Sequence, residues 1–494
     1  MDRGNTFFER HVIAIRRRHP FPACLLSIPS RRFGITAGEG GEMRKGILLL
    51  VIGVMGTLVL ATFSRDAEAV PAFARKYKTA CITCHATFPR LTALGEAFRL
   101  NGYRMPGGDE LYVKDTPMSL GAEAYKQVFP NAVWPSDIPG MPPLALRVAM
   151  NYAANTGGGV TPKTNFSLDE VSLLGAGSLG ENMAFFVVIE HHDTAFGLNV
   201  QKTTLGTGET VVTDVNGTLE PGTEFSAWLL WSNLFKKTVG ANHLNLRFGT
   251  VGKQDLALPN SRIEGAITVQ NYLYAEELEI DAAGSASVGA ELNGFGKYWR
   301  YNVGAMNGDG ESNKKNYYAA ASFKIGGLGY DGSGGTTTEG GLNTTPAGYW
   351  RDDSIRFGGF YYITHAGPDG VKWDRVGADV RASYKDLQVG GGYITGKNDD
   401  PAAKEKKNVW FAEVEYFVYP WLQPYVRYEK VTSDVHDSEH GDKGRFIVGA
   451  ALLARANVKF NLEGKTFTKN EPSETSTGSK HREDQVVLRL DYAF

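Results

Sequence analysis

The chain has 494 residues and a formal net charge of −2, which excludes the strongly basic surface of a nucleic-acid binder. Glycine reaches 59 residues, tyrosine 22 and phenylalanine 26. That balance speaks against a helical enzyme and for many strands, many turns and aromatic girdles.

In chain order, the first recognisable element is a leader. Met43-Arg44-Lys45-Gly46 precedes the apolar run Ile47 to Leu60, and Ala67-Glu68-Ala69 supplies small residues at the −3 and −1 positions. This is the layout of a secretory signal of the Sec type, with cleavage expected after Ala69. The run is shorter than the roughly 20 residues of a membrane helix, so a retained anchor is the weaker reading. Residues 1–42 precede the leader and read as an extension from a wrongly chosen start. Residues 1–69 are therefore expected to be removed. No other stretch is long and apolar enough to span a membrane as a helix.

Removal of the leader takes Cys24 with it and leaves two cysteines, both in Cys81-Ile82-Thr83-Cys84-His85. C-x-x-C-H is the attachment signature of c-type haem. The two thiols add across the vinyl groups, and the histidine supplies an axial nitrogen to the iron. A thioredoxin-like pair needs a βαβ surround that is missing here. A zinc site needs further cysteines. A structural disulfide across so short a loop is disfavoured.

Pro71 to Tyr77 leads into the motif. Residues 89–100 carry apolar positions at helical spacing, with Pro89 near the expected helix start and Asn101-Gly102 ending it. Spacing does not determine the second axial ligand: Met105, Met118 and Met141 all follow, and Met105 leads because it directly follows the helix. Residues 70–143 are too few to enclose a haem alone and are expected to lean on something larger.

From Leu144 alternation replaces the helical period. Sixteen strands are expected at 144–153, 166–177, 181–190, 223–232, 242–250, 285–293, 297–306, 315–324, 353–363, 374–384, 386–395, 407–417, 421–430, 444–453, 455–464 and 483–494. Their lengths suit tilted strands crossing an outer membrane. Long external links alternate with short internal ones, except that the long, Gly- and Thr-rich stretch 325–352 falls on the internal side. The aromatic Phe494 at the end also suits such a barrel. Two stacked soluble sheets explain the strands equally well, but not Phe494 or the loop asymmetry.

The order of leader, Phe73-Ala74-Arg75-Lys76-Tyr77 before C-x-x-C-H, Phe98 to Gly102-Tyr103, and then a porin-like barrel resembles the fused monohaem cytochrome–porins of iron-oxidising bacteria. The specific part of the likeness is residues 71–104; over 144–494 it is architectural. The resemblance implies a small helical cytochrome segment at 70–143, fused to an outer-membrane β-barrel at 144–494 and plugging it. It implies one covalent haem c, held by Cys81, Cys84 and His85, in the outer membrane of a Gram-negative bacterium. It further implies oxidation of extracellular Fe(II), or of another metal donor, with electrons passed to a periplasmic c-type cytochrome. That would be an iron:cytochrome c type of activity, with outer-membrane lipid as the surround and no nucleic acid. A porin with a structural or sensing haem, and outward electron delivery to extracellular metals, are the alternatives.

His191, His192, His365, His436, His440 and His481 fall in expected external loops or at their edges, with 434–442 the densest group of imidazoles and carboxylates. Such groups suit divalent metals, though a solvated polar loop is the plainer reading. Trp410, Tyr416, Tyr419, Trp421 and Tyr425 are expected in interfacial girdles.

Overall fold

A computed structural model describes residues 72–77, 79–106, 118–119, 137–138, 143–155, 163–179, 182–192, 198–204, 210–217, 222–252, 278, 287–308, 313–334, 348, 350–366, 371–399, 404–435, 442–468 and 484–493. The expected leader, Met141, His436, His440, His481 and Phe494 lie outside these residues.

Sixteen antiparallel strands form a closed barrel. They are β1 (Leu144–Asn155), β2 (Lys163–Leu179), β3 (Met183–His192), β4 (Gly222–Trp231), β5 (Asn245–Thr250), β6 (Val288–Phe295), β7 (Trp299–Asn307) and β8 (Lys315–Gly326). The second half is β9 (Ser354–Ala366), β10 (Val371–Tyr384), β11 (Leu387–Asn398), β12 (Lys406–Tyr416), β13 (Leu422–Ser433), β14 (Lys443–Arg455), β15 (Val458–Phe467) and β16 (Gln485–Ala493). Each strand pairs with its neighbours in sequence, and β16 closes on β1 with Leu488 opposite Tyr152. Closure leaves no unpaired edge, the condition for a sheet in lipid.

Side chains alternate across the wall. In β8, Ser322 and Lys324 are buried while Phe323 and Ile325 are 61% and 64% exposed. Phe166, Phe225, Trp231, Val448 and Leu462 likewise point outward. Inside, charges meet in pairs: Arg427 and Arg445 on Glu429, Lys459 and Arg147 on Asp491, Arg247 on Glu291. An apolar exterior around a charged, hydrogen-bonded interior is the pattern of a membrane barrel, and among the described residues no helix is long and apolar enough to cross. The chain is an outer-membrane β-barrel.

Trp410, Tyr416, Tyr419 and Trp421 face outward, with Tyr419 and Trp421 stacked at 5.2 Å. Tyr425 is a correction: it is buried and its hydroxyl donates to Glu463 at 2.6 Å. The period of two puts it on the inner face of β13 with Gln423.

Connections 180–182, 296–298, 385–386, 417–421 and 456–457 lie at one end of the barrel. That end also carries 232–244, with a short helix at Lys236–Val239, and the long 327–353. The other end carries 193–221, where Leu198–Thr204 pairs with Thr210–Gly217, and 251–287. Leu278 of that last loop turns inward, where its carbonyl accepts from Arg375 Nε at 2.6 Å and its side chain joins Phe360, Tyr362, Ile394 and Phe411.

Among the described residues before the barrel are two helices, α1 (Ala72–Tyr77) and α2 (Ala93–Leu100). A ribbon of His85–Thr87 against Arg90–Leu91 lies between them. The second helix therefore starts four residues later than its periodicity suggests. Arg90 and Leu91 are drawn into the ribbon, and the Thr92 hydroxyl caps the helix by accepting from Gly95 N–H at 3.0 Å.

Candidate functional site

The C-x-x-C-H stretch folds as one 3-10 turn, Cys81–Thr83, with Cys84 N–H donating to Cys81 O at 3.1 Å. Thr92 ties it to α2: its N–H donates to Cys84 O at 2.9 Å and its hydroxyl to Thr83 O at 3.0 Å. Helix α2 packs so closely on the turn that only glycine fits at position 95, where a Cβ would lie 2.1 Å from the Cys84 carbonyl oxygen.

Cys81 and Cys84 are both free thiols. Burial pushes the Cys84 thiol up to about 12, with Cys81 adding to the shift, and burial raises Cys81 against a backbone hydrogen bond. A reactive redox pair needs the opposite, a lowered thiol. His85 is pushed down to about 4 by burial, so its ring is neutral. Its Nδ1 lies 3.1 Å from Pro89 O. With the carbonyl as acceptor, Nδ1 carries the proton and Nε2 keeps its lone pair. Two unpaired thiols and an imidazole with its outer nitrogen already engaged make a donor set that fits a covalently attached haem. Attachment would use Cys81 and Cys84, and His85 Nε2 would face the iron.

The turn is held against the barrel's inner wall. Thr87 donates to Gln423 Oε1 at 2.6 Å, and Arg90 pairs with Glu415. Gln423 Nε2 donates to Glu415 Oε2 at 2.5 Å, and Arg381 reaches the same carboxylate at 3.2 Å. Glu96 of α2 pairs with Arg300 at 2.6 Å. Tyr103 stacks on Trp228 at 5.8 Å, and Trp228 on Phe186 at 5.7 Å. The Arg147 guanidinium lies over the Phe88 ring at 5.4 Å. Arg147, Phe186, Trp228, Arg300, Glu415 and Gln423 each sit within three residues of the strand end that meets the short connections. The segment thus docks at that end of the barrel, on strands from around its circumference.

The long connection 327–353 joins this assembly. Trp350 and Phe417 stack at 4.9 Å and bury Ala86, the residue after His85. A Cβ at Gly332, which has φ +79°, would meet Pro106 at 2.1 Å. The exceptional length of this connection on the short-turn side is therefore used against the segment that carries the motif.

Met105 is 3% exposed and belongs to the cluster of Tyr77, Phe98, Tyr103, Trp228 and Leu230; His85 packs on Phe88, lies against Pro89 O and pairs with Leu91 across the ribbon. Met118 lies in a two-residue strand paired with Ile138. His365 Nδ1 sits 2.9 Å from Lys315 O. Among the described residues, no group of three or more His, Cys, Asp or Glu is placed to hold a metal ion. Most of the 434–442 group lies outside the described residues. Glu415, Gln423, Arg300 and Trp228 escaped the sequence reading. Each is one of many alternating inward positions, and only contact with a segment some hundreds of residues away sets it apart.

No family model and no curated protein matches the chain. Solved outer-membrane proteins are similar in fold. An anion-selective porin from Comamonas acidovorans is 11% identical, with 71% of this chain and 98% of that one covered and a TM-score of 0.46. A loop-deletion mutant of OmpT from Vibrio cholerae is 9% identical, covering 71% and 99%, at 0.42. OmpF of Salmonella typhi, solved in complex with daunomycin, is 11% identical, covering 71% and 97%, at 0.43.

Proposed function

We propose that this barrel is an outer-membrane electron-transfer protein with one covalent haem c on Cys81 and Cys84 and His85 as an axial ligand. In this reading residues 70–143 form a cytochrome segment that plugs the barrel 144–494, and Met105 is the candidate second ligand. The observation that carries the reading is the C-x-x-C-H turn itself. It has unpaired thiols, its histidine is oriented by Pro89 O, and it is anchored to the lumen wall at Gln423 and Glu415.

The bound haem would supply a one-electron relay. The protein's part is to seat it in a low-dielectric mouth and to keep His85 neutral and aimed. The direction that fits best is oxidation of extracellular Fe(II): each ion gives up one electron, which leaves through a periplasmic c-type cytochrome. Fe(III) hydroxide is insoluble near neutral pH, so oxidation outside keeps mineral out of the cell. Outward delivery to extracellular metals uses the same relay in reverse.

A second reading is a diffusion porin in which the haem is structural or senses. It is favoured by the charged inner wall, since a sixteen-strand barrel is wide enough for an aqueous channel. The deciding experiment adds Fe(II) to purified oxidised holoprotein and measures its midpoint potential. Reduction by Fe(II) supports the proposal. A potential far below the Fe(III)/Fe(II) couple at working pH favours outward delivery. Solute flux with a redox-inert haem favours the porin.

A further inference from the structure

We propose that the barrel wall sets the position of the His85 imidazole, with Gln423 and Glu415 as positioning residues for the histidine that would ligate the iron. This rests on the haem reading above.

The ribbon that carries His85 is three residues against two. A pair that short does not hold its own shape in water. Yet the Nδ1 partner of His85, Pro89 O, lies in the bend of this ribbon, so any play in the bend becomes play in the imidazole. The wall removes that play from both flanks. On the first strand, the Thr87 hydroxyl donates to Gln423 Oε1 at 2.6 Å. On the second, Arg90, next to Pro89, pairs with Glu415. The two grips form one unit, because Gln423 Nε2 donates to Glu415 Oε2 at 2.5 Å. Arg381 braces Glu415 from the other side at 3.2 Å and also pairs with Glu413. All four gripping residues are closed off from solvent: Thr87 at 1%, Arg90 at 4%, Glu415 at 0% and Gln423 at 1% exposure.

The consequence lies in the donor strength of the ring. A partner that accepts from the outer N–H of an imidazole raises the basicity of the opposite nitrogen. A firmly held Pro89 carbonyl therefore makes His85 a stronger donor and lowers the reduction potential of a haem it ligates. A loosened bend does the reverse. The barrel, far from His85 in sequence, thereby becomes part of the tuning of the redox centre.

The test uses substitutions that leave charge unchanged, so that a shift reports geometry. Thr87→Val keeps the shape and removes the hydroxyl; Gln423→Ala removes its partner; Thr87→Ser restores the hydroxyl. Full-length holoproteins are compared for covalent haem, heat-modifiable mobility of the barrel, midpoint potential and the spectrum of the ligated iron. The expected result is a higher potential in Thr87→Val and in Gln423→Ala, no further rise when the two are combined, and wild-type behaviour in Thr87→Ser. Covalent haem with an unmoved potential in both single variants overturns the positioning role. Shifts that add up in the double variant also overturn it, because the Thr87–Gln423 bond is already lost in either single variant. A wild-type protein with no covalent haem overturns the reading beneath it, and the haem stain tells that failure apart.

Discussion

Gly95 and the Cys84 carbonyl are in direct backbone contact. A Cβ on Gly95 would lie 2.1 Å from the Cys84 oxygen, which already accepts from Thr92 N–H at 2.9 Å. The obstacle is main chain and cannot swing aside. Gly95→Ala gains about 1 kcal/mol of helix propensity. Overpacking against a fixed neighbour costs about 1–3 kcal/mol, and a contact this short sits at the upper end of that range, so the clash wins. Expected is a loss of covalent haem per folded barrel, with the barrel's heat-modifiable mobility unchanged. Haem staining of a Gly95→Ala preparation at wild-type level contradicts the packing account.

Arg90 and Glu415 make a buried ion pair at the barrel's short-turn end. Removing one partner of a buried pair costs about 3–5 kcal/mol, because the other charge stays behind. In Arg90→Ala, Glu415 keeps Arg381 and the Gln423 amide, so the cost falls toward about 3 kcal/mol. The loss is borne by docking of the segment, since the strands remain paired. Hydrogen exchange across residues 85–100 should speed up markedly while exchange in β12 and β13 holds. Equal protection in mutant and wild type would sink the anchoring role of this pair.

Among the carboxylates that hold the connection 327–353, Asp386 grips its end. Asp386, in the turn after β10, accepts from Arg351 at 2.8 and 3.0 Å and from the Trp350 indole at 3.0 Å. The Arg351 bond, followed by the opposing effect of desolvation and then the Trp350 bond, holds the Asp386 carboxyl below its ordinary value. A lowered carboxylate stabilises above the ordinary aspartate value of about 4 and loses that contribution as pH falls through the folded value. Exchange protection around 348–353 should therefore be flat from neutral pH to about 5 and drop below about 4. Asp386→Asn should abolish the step. A step that survives in Asp386→Asn would assign it to another group.

The barrel was legible residue by residue because lipid outside and charge inside impose a strict period of two. All sixteen expected strands exist, from Leu144–Asn155 to Gln485–Ala493. The errors are local and physical. The strand expected from 242 begins at Asn245, because Asn242 takes a positive φ of 63° in a turn where His243 Nδ1 lies 2.6 Å from the Val239 carbonyl. The aromatic type of Tyr425 points to a girdle, but its odd-numbered place in β13 turns it inward to Glu463. Of the candidate site, Cys81, Cys84 and His85 were legible because their spacing is itself the chemistry. Gln423, Glu415 and Trp350 were not, since their roles depend on a segment more than two hundred residues earlier in the chain. Residues 327–353 looked out of place for the same reason: their partners are Ala86 and Pro106.

The proposed electron transfer requires a haem on Cys81 and Cys84. Mass spectrometry of peptides from outer-membrane protein, isolated from a host that matures c-type cytochromes, tests it most directly. Expected is one haem on the peptide spanning Cys81 and Cys84, and none in the Cys81→Ala, Cys84→Ala double variant. An unmodified peptide from folded barrel, or haem retained by the double variant on denaturing gels, would contradict it.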